Sequence, residues 1–334
     1  RYYHFICKTD FPLFALLDQL ELSERLKWTD TRMGYFVDGT LYEWGHPLAL
    51  LKFPKLGWIA KIRYALHVMY TKGIRDWSAL DARNAREWIQ SWVGKEAWDV
   101  LWERAFHLKF FEYADQLSAS WIGTRIKRVA LSRRSLFNES LGYLEGGSAA
   151  LLEAMVGEIQ RLGGRIHLGA PVQQVCTAEG RVNGLRIHDE FKPARAVLST
   201  APIQYVPAMV PDLPADFAAQ IARIENIPVA CVILKLKRAV SENFWLNIND
   251  PHIGIPGLIE YSNLNPGRPG EHIVYAPYYM PKTHPKWAWS NEALIDEVLG
   301  YLKRINPEFQ PDWVLARHCH RYEFAQTICP PGFQ

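Results

Sequence analysis

The stretch GYLEGGSAALLEAMVGEIQRLGGRIHLGAPVQQV, residues 142–175, decides the fold of this 334-residue chain. A helix is predicted to begin at the double glycine of 146–147, with Ser148 as its cap, and to end at Gly163 and Gly164. Its apolar residues form one stripe, which comprises Leu151, Leu152, Met155, Val156, Ile159 and Leu162. A helix that opens at glycines and leads into a strand is typical of a nucleotide-binding α/β layer.

The residues after this helix are predicted to extend the same layer. RIHLG (165–169), VQQVCTA (172–178) and RVNGLRI (181–187) have the pattern of short strands, with a turn at 178–180. ARAVLSTAP (194–202) is predicted as a buried strand that ends in a loop stopped by proline. Such a strand would deliver backbone groups to the carboxyl edge of a sheet, where α/β sheets bind ligands. Without a ligand, the same unit is an ordinary helix–strand connection.

The region before this layer is mostly helical and rich in aromatic residues. Nine of the thirteen tryptophans lie between Trp28 and Trp121. Asp38-Gly39, between two β-prone runs, predicts a two-residue hairpin turn. A helix is predicted to follow Asp81 as N-cap and to end at Gly94.

The region after the layer alternates strands with one clear helix. VACVILKLK, HIVYAPYYM and WVLARHCHRY are predicted as strands, and NEALIDEVLGYLKRIN (291–306) as a helix with one apolar face. We therefore predict an α/β fold combined with α+β, in which a Rossmann-like layer interrupts a helical and mixed-sheet domain. The predicted segments are 1–140 (helical), 141–205 (central layer), 206–325 (sheet and helix) and 326–334 (return to the layer).

Composition excludes several classes of protein. The net charge of +3 does not indicate any class of binding partner. Five cysteines without a CxxC motif favour a reduced, cytoplasmic protein. No HExxH, GxSxG, P-loop or GxGxxG motif occurs. In HCH (318–320), the two histidines would share one face of a strand while Cys319 points away. We therefore predict no metal site.

Each of two basic segments has both a structural and a functional interpretation. Residues 47–73 mix five cations with apolar side chains. We favour a packed helix with a solvated basic face, broken early by Pro54, and keep as the alternative a helix at the inner face of the membrane. RIKRVALSRR (125–134) is predicted as a solvated face, because no nucleic-acid-binding motif surrounds it.

The central stretch resembles the second FAD-domain segment of the flavin amine oxidase superfamily, which includes monoamine oxidases, protoporphyrinogen oxidases and phytoene desaturases. Further similarity lies in RYYHFICKTD, GYFVDGTLYEW, FWLNINDP, GLIEYSNL and YEFAQTICPPGF, so that it covers essentially the whole chain. These stretches are most similar to bacterial, protoporphyrinogen-oxidase-like FAD-dependent oxidoreductases, with features shared with UDP-galactopyranose mutases.

The resemblance implies FAD as the cofactor and suggests two groups of site residues. The cofactor group comprises Tyr3, His4, Val172, Ser199, Thr200, Ala201 and Pro202. The substrate group comprises Glu260, Asn263, Tyr322 and Gln326. Relatives are expected to carry EHTN and AQP where this chain has EYSN and AQT, so its substrate contacts are expected to differ. Every one of these residues also has an ordinary structural interpretation, and no catalytic acid or base is nominated.

The resemblance also implies a function and an incomplete cofactor site. The family's first FAD segment, with GxGxxG, and its last FAD segment are not found in this sequence. We therefore expect a fragment with weak or absent FAD binding and no activity, from an FAD-dependent oxidoreductase that takes a hydride from an apolar or lipid-linked substrate. The alternatives are a flavin-dependent nucleotide-sugar mutase and a non-catalytic protein on a degenerate flavoprotein scaffold.

Overall fold

The computed structural model describes residues 4–135 and 139–333. Its helices are α1 Phe11–Gln19, α2 Pro47–Lys52, α3 Trp58–Gly73, α4 Ser78–Asp81, α5 Ala85–Trp98, α6 Arg104–Phe110, α7 Ala119–Leu131, α8 Gly147–Arg161, α9 Val206–Met209, α10 Ala215–Ala222 and α11 Asn291–Ile305. Its strands are β1 Leu26–Thr31, β2 Met33–Val37, β3 Thr40–Trp44, β4 Glu139–Leu144, β5 Val172–Ala178, β6 Arg181–Ile187, β7 Glu190–Pro193, β8 Asn226–Leu236, β9 Trp245–Asn249, β10 Gly257–Glu260, β11 His272–Tyr279 and β12 Val314–Thr327.

The chain forms two units. One contains residues 1–151 and 227–334, and the other contains 152–226. The second unit therefore begins within α8 and continues to Asn226, beyond the predicted end of the central layer at 205. The sheet predicted for 206–325 begins only at β8.

A seven-stranded mixed sheet organises the first unit, with the strand order β12-β8-β11-β10-β9-β2-β3. Strands β2 and β9 run parallel, whereas β8–β11, β11–β10, β10–β9 and β2–β3 are antiparallel pairs. α11 buries its apolar stripe against one face of this sheet, as its periodicity predicts. The predicted combination of α/β and α+β elements is confirmed.

The predicted hairpin at Asp38-Gly39 is confirmed. Val37 pairs with Thr40, and both intervening residues have positive φ angles of 50° and 71°. Two consecutive positive φ angles match the right-handed twist of the flanking strands, and Asp-Gly adopts them at low cost. The hairpin forms the edge of the sheet that packs against the helical region.

The helices α5 and α7 form the centre of a second, aromatic core. Trp88, Ile89 and Val93 of α5 are buried there, as their spacing predicts. The predicted cap was wrong: Asn84, not Asp81, accepts the Glu87 N–H, because Asp81 ends the short preceding helix α4. Gly94 has a positive φ of 81°, yet helical conformation resumes after it, so it kinks α5 rather than ending it.

The second unit contains a small antiparallel sheet of β5, β6 and β7. Two of the predicted strands, 165–169 and 194–202, are not strands in the structure. Leu168 and Leu198 within them are each 91% exposed, and apart from a hydrogen bond from the Ala194 N–H to the Asn183 carbonyl neither segment takes part in the strand ladders of this unit. An extended segment without a partner gains no ladder hydrogen bonds, so apolar pattern alone does not make it a strand.

The helix α8 begins and ends where its glycines predict, but Ser148 lies inside it and does not cap it, because the helix already starts at Gly147. Gly163 has a φ of 82°, and the backbone leaves the helix there. Its predicted apolar stripe, however, is largely exposed: of the helix, only Ala150 is buried. The stripe therefore has no packing partner within the second unit.

Residues 47–73 form two helices separated at Phe53–Gly57, so the break predicted at Pro54 is confirmed. The predicted packing is wrong in one respect. Lys61 is buried, while the apolar side chains of α3 mostly face outward. Over the described residues, no helix has both the length and the apolar character needed to span a bilayer.

Candidate functional site

Two cations without carboxylate partners mark a candidate site in the first unit. Lys109 on α6 is half-buried, and its ammonium lies 5.2 Å from the ring centre of Tyr279 and 5.6 Å from that of Phe110. Burial, and after it the nearby charge of Arg125, lower the pKa of Lys109 to about 8. No carboxylate forms an ion pair with Lys109 within residues 4–135 and 139–333.

Arg125 on α7 supplies the second cation. Its guanidinium carbon lies 3.5 Å from the ring centre of Trp121, and its Nη1 donates a hydrogen bond to the Trp121 carbonyl at 3.0 Å. Stacking on an indole and bonding to a carbonyl fix the plane of the guanidinium but leave its charge uncompensated. The two cations therefore form an electropositive position bordered by aromatic rings.

A buried polar network fixes the start of α7 and thereby places Arg125. Ser120 Oγ donates to Asp81 Oδ1 at 2.9 Å, and Ser118 Oγ donates to the Asp81 carbonyl at 3.1 Å. The Ser118 N–H donates to the Cys329 carbonyl at 2.8 Å, and the Gly332 N–H donates to the Asp81 carbonyl at 3.0 Å. These bonds fasten the segment after β12 to the same helix start, so the site combines α6, α7, β11 and the end of β12.

This arrangement can bind an anion attached to an apolar body. Phe110 and Trp121 are buried, and their rings shield the two positive charges from water on one side. A carboxylate or phosphate placed here would gain charge-assisted hydrogen bonds at a position where the free cations are poorly solvated. The sequence analysis missed this site, because it treated 125–134 as one solvated face. The only signal was Trp121, one helical turn before Arg125.

The predicted substrate residues Glu260 and Asn263 lie together, around residues 240–243. The Glu260 carboxylate is buried and accepts hydrogen bonds from the Val240 N–H and the Ser241 hydroxyl. Asn263 Nδ2 donates to the carbonyls of Ser241 and Asn243 at 3.0 and 2.8 Å. Burial raises the pKa of Glu260 to about 7. Their polar atoms thus bind backbone groups of residues 240–243 and the Ser241 hydroxyl, and a role in substrate binding stays a prediction.

The other predicted residues of this unit lie apart from one another. Tyr322 and Gln326 share one face of β12; Tyr322 is exposed, whereas Gln326 is partly buried. His4 is exposed and precedes Ile6, which exchanges two backbone hydrogen bonds of 2.8 Å with Gly142 of β4. Tyr3 lies outside the described residues. Their roles also stay predictions.

The remaining predicted cofactor residues lie in the second unit. Val172 begins β5 opposite Ile187, and Ser199, Thr200 and Ala201 are exposed. They could offer backbone groups to a dinucleotide. Gly146 and Gly147 join β4 to α8, but no GxGxxG motif is present in the sequence to hold the pyrophosphate. The residues present therefore fit only part of FAD.

A second titratable side chain, that of Glu139, lines an open groove of about 620 Å³ in the first unit. Glu139 is buried there, and its Oε1 has no hydrogen-bond partner among residues 4–135 and 139–333, while Oε2 accepts from Thr31 at 3.4 Å. Burial raises the pKa of Glu139 to about 7, against the lowering effect of Arg133. A carboxyl group with this pKa can hold or release a proton near neutral pH. No sequence pattern pointed to it.

The histidines of HCH behave as the strand pattern predicts. His318 and His320 lie on one face of β12 with ring centres 6.4 Å apart, and Cys319 is buried on the other face. Across the described ranges, His, Cys, Asp and Glu form no group of three or more that could hold a metal ion.

Comparison with known proteins assigns the family. The sequence profile for flavin-containing amine oxidoreductases matches residues 3–331. The chain belongs to this family. The resemblance stated from the sequence is thereby confirmed, and the family implies a flavin cofactor. No relative was found among the curated proteins.

Several solved structures share the fold of this flavin amine oxidoreductase. A protein provisionally assigned as a protoporphyrinogen oxidase from Exiguobacterium sp. 255-15 is 16% identical, with a TM-score of 0.74 over 99% of this chain and 77% of that chain. Reduced UDP-galactopyranose mutase is 12% identical, with a TM-score of 0.71 over 99% and 73%. Cyclohexylamine oxidase from Brevibacterium oxydans IH-35A is 15% identical, with a TM-score of 0.67 over 98% and 76%. At these identities the likeness shows the fold alone.

Proposed function

We propose that this flavin amine oxidoreductase acts on an apolar substrate that carries one anionic group. The observation that supports this proposal is the half-buried Lys109, which lies beside the rings of Phe110 and Tyr279, near the charge of Arg125, and has no carboxylate partner among the described residues. When bound, FAD would accept a hydride from the substrate. The protein's own contribution would be to hold the anionic group at Lys109 and Arg125 and to orient the apolar body against the rings.

We expect the 334-residue chain by itself to hold FAD weakly and to show little activity, because it lacks a loop to cradle the pyrophosphate. The test is to mix the purified chain with excess FAD, remove unbound FAD by gel filtration and record the visible spectrum. Flavin bands retained at one FAD per chain would contradict the expectation.

Anion binding can be measured without FAD. We expect the chain to bind 2-naphthoate, an apolar carboxylate, at least about tenfold more tightly than the neutral 2-naphthylmethanol in calorimetric titrations, because a charge-assisted hydrogen bond contributes about 1.5–3 kcal/mol. Lys109→Met should abolish the difference. Lys95→Met is the matched control, since Lys95 is an exposed lysine whose ion pair with Asp99 lies on the surface. Equal affinities of the unaltered chain for both compounds would refute the proposed substrate class.

A second candidate is a flavin-dependent nucleotide-sugar mutase. A nucleoside diphosphate also combines an anion with a stacking ring, and would suit Lys109, Arg125 and Trp121 for the same physical reasons. The two functions differ in their need for an electron acceptor: turnover of a nucleotide sugar without any acceptor favours the mutase. Failure to bind FAD under any condition, including in the presence of anionic ligands, favours a non-catalytic scaffold.

A further inference from the structure

The outward face of α3 is apolar. Its exposed residues recur at positions 58, 59, 62, 66 and 69, which lie on one side of a helix. Their exposed fractions are Trp58 66%, Ile59 76%, Ile62 58%, Leu66 51% and Met69 69%. The stripe is about 17 Å long at 1.5 Å per residue. Leu48 and Leu51 of the preceding α2 are exposed as well.

The inward face of the same helix mixes polar and apolar side chains. Lys61, His67 and Thr71 are buried beside Ala60, and burial is unusual for such polar side chains because they lose hydration in the interior. Lys61 Nζ donates to the Leu51 carbonyl at 2.7 Å, and Thr71 Oγ1 donates to the His67 carbonyl at 2.7 Å. The larger aliphatic side chains of the helix thus face outward, and an apolar phase that covered the stripe would bury them.

Most charges near the stripe are positive, although the Glu96 carboxylate accepts a hydrogen bond from the Gly57 N–H beside Trp58, and Asp76 follows Arg75. Residues 44–75 contain four lysines and two arginines but no Asp or Glu. Lys52, Lys72 and Arg75 are exposed around the apolar face. Arg63 is exposed and donates to the carbonyls of Ser91 and Trp92, so those contacts leave its charge uncompensated. A ring of cations around an apolar stripe complements an anionic lipid surface.

We propose that α3 lies flat in the surface of a bilayer that contains anionic lipid. Trp58, Ile59, Ile62, Leu66 and Met69 enter the boundary between headgroups and acyl chains, and the surrounding lysines and arginines contact the headgroups. A second copy of the chain does not satisfy the same surface, because a two-fold contact would place like charges against each other. The helix α3 lies entirely in the first unit, and its contact with a bilayer is independent of flavin binding and of the substrate.

The test is co-flotation of the whole chain with lipid vesicles on a density gradient. The chain should float with vesicles of phosphatidylcholine and phosphatidylglycerol, and much less with phosphatidylcholine alone. Ile59→Ser/Ile62→Ser/Met69→Ser should lower partitioning at least about 100-fold, because three buried apolar side chains are lost. Lys52→Gln/Lys72→Gln/Arg75→Gln should lower it by a similar factor, and only with the anionic vesicles.

Two controls keep the proposal falsifiable. Phe11→Ser/Leu315→Ser removes exposed apolar residues outside α2 and α3 and should leave flotation unchanged. Far-UV circular dichroism should show each variant folded. Flotation that is independent of anionic lipid, or that survives the triple serine substitution, overturns the proposal. So does a dimer in sedimentation velocity without vesicles that the same substitution abolishes, since it assigns the stripe to a second copy.

Discussion

Trp88→Ala is expected to lower the free energy of unfolding by about 4 kcal/mol, since truncating a buried Trp leaves a cavity that the core fills only in part. Trp88 is fully buried at the centre of the aromatic core. Its ring lies 4.7 Å from that of His67, and a Cβ added at Gly123 of α7 would lie only 3.2 Å from Trp88 Cη2. The substitution therefore removes contacts that join α3, α5 and α7.

The measurement is urea-induced unfolding followed by far-UV circular dichroism. Trp58→Ala provides a matched control, because it deletes the same side chain from a position that is 66% exposed. Its effect should stay within about 0.5 kcal/mol, as is usual for surface substitutions. A loss below about 1 kcal/mol for Trp88→Ala would show that the aromatic core is not closely packed around it.

The second large effect is a loss of stability in acid caused by His67. Both ring nitrogens of this buried histidine lack hydrogen-bond partners in the described part of the chain, and the ring packs on Trp88 and Trp92. Burial lowers its pKa from 6.5 to about 4. The unfolded chain therefore binds a proton at a higher pH than the folded chain. The contribution is fully present above pH 6.5 and is lost as the pH falls toward 4, by about 3 kcal/mol in total.

His67→Phe should remove this part of the pH dependence while keeping a ring between the two tryptophans. The measurement is the urea midpoint at several values between pH 4 and 7. Glu139 and Glu260 have raised pKa values, so their contributions fall as the pH rises and are shared by both proteins. Thr71→Val alters the same buried face without titrating and should keep the acid slope of the unaltered chain. Parallel pH profiles for His67→Phe and the unaltered chain would refute the assignment.

Local patterns predicted the elements that rest on local physics. The Asp38-Gly39 turn, the Gly163 stop of α8 and the stripe of α11 each follow from preferences of a few neighbouring residues. The family resemblance followed from the same local stretches taken as a set, and the profile match over residues 3–331 confirms it. These features do not depend on contacts with distant parts of the chain.

The candidate site was less predictable. Lys109 and Arg125 come from two helices, and only the packing of α6 and α7 against the end of β11 places them near each other and near Tyr279. Glu260 and Asn263 were nominated by resemblance, but their hydrogen bonds to residues 240–243 are visible only in the folded chain. Sequence spacing carries no information on which distant side chains meet.

By itself, the sequence determined the family, the Asp38-Gly39 turn, the end of α8 at its glycines and the inward face of α11. Tertiary structure decided which side of α3 packs against the protein, since an amphipathic pattern by itself does not determine which side is buried. It also decided that 165–169 and 194–202 are not strands, because a strand needs a partner to supply its hydrogen bonds. Periodicity and turn preferences act between near neighbours, whereas burial, strand pairing and the meeting of charges depend on residues far apart in the chain.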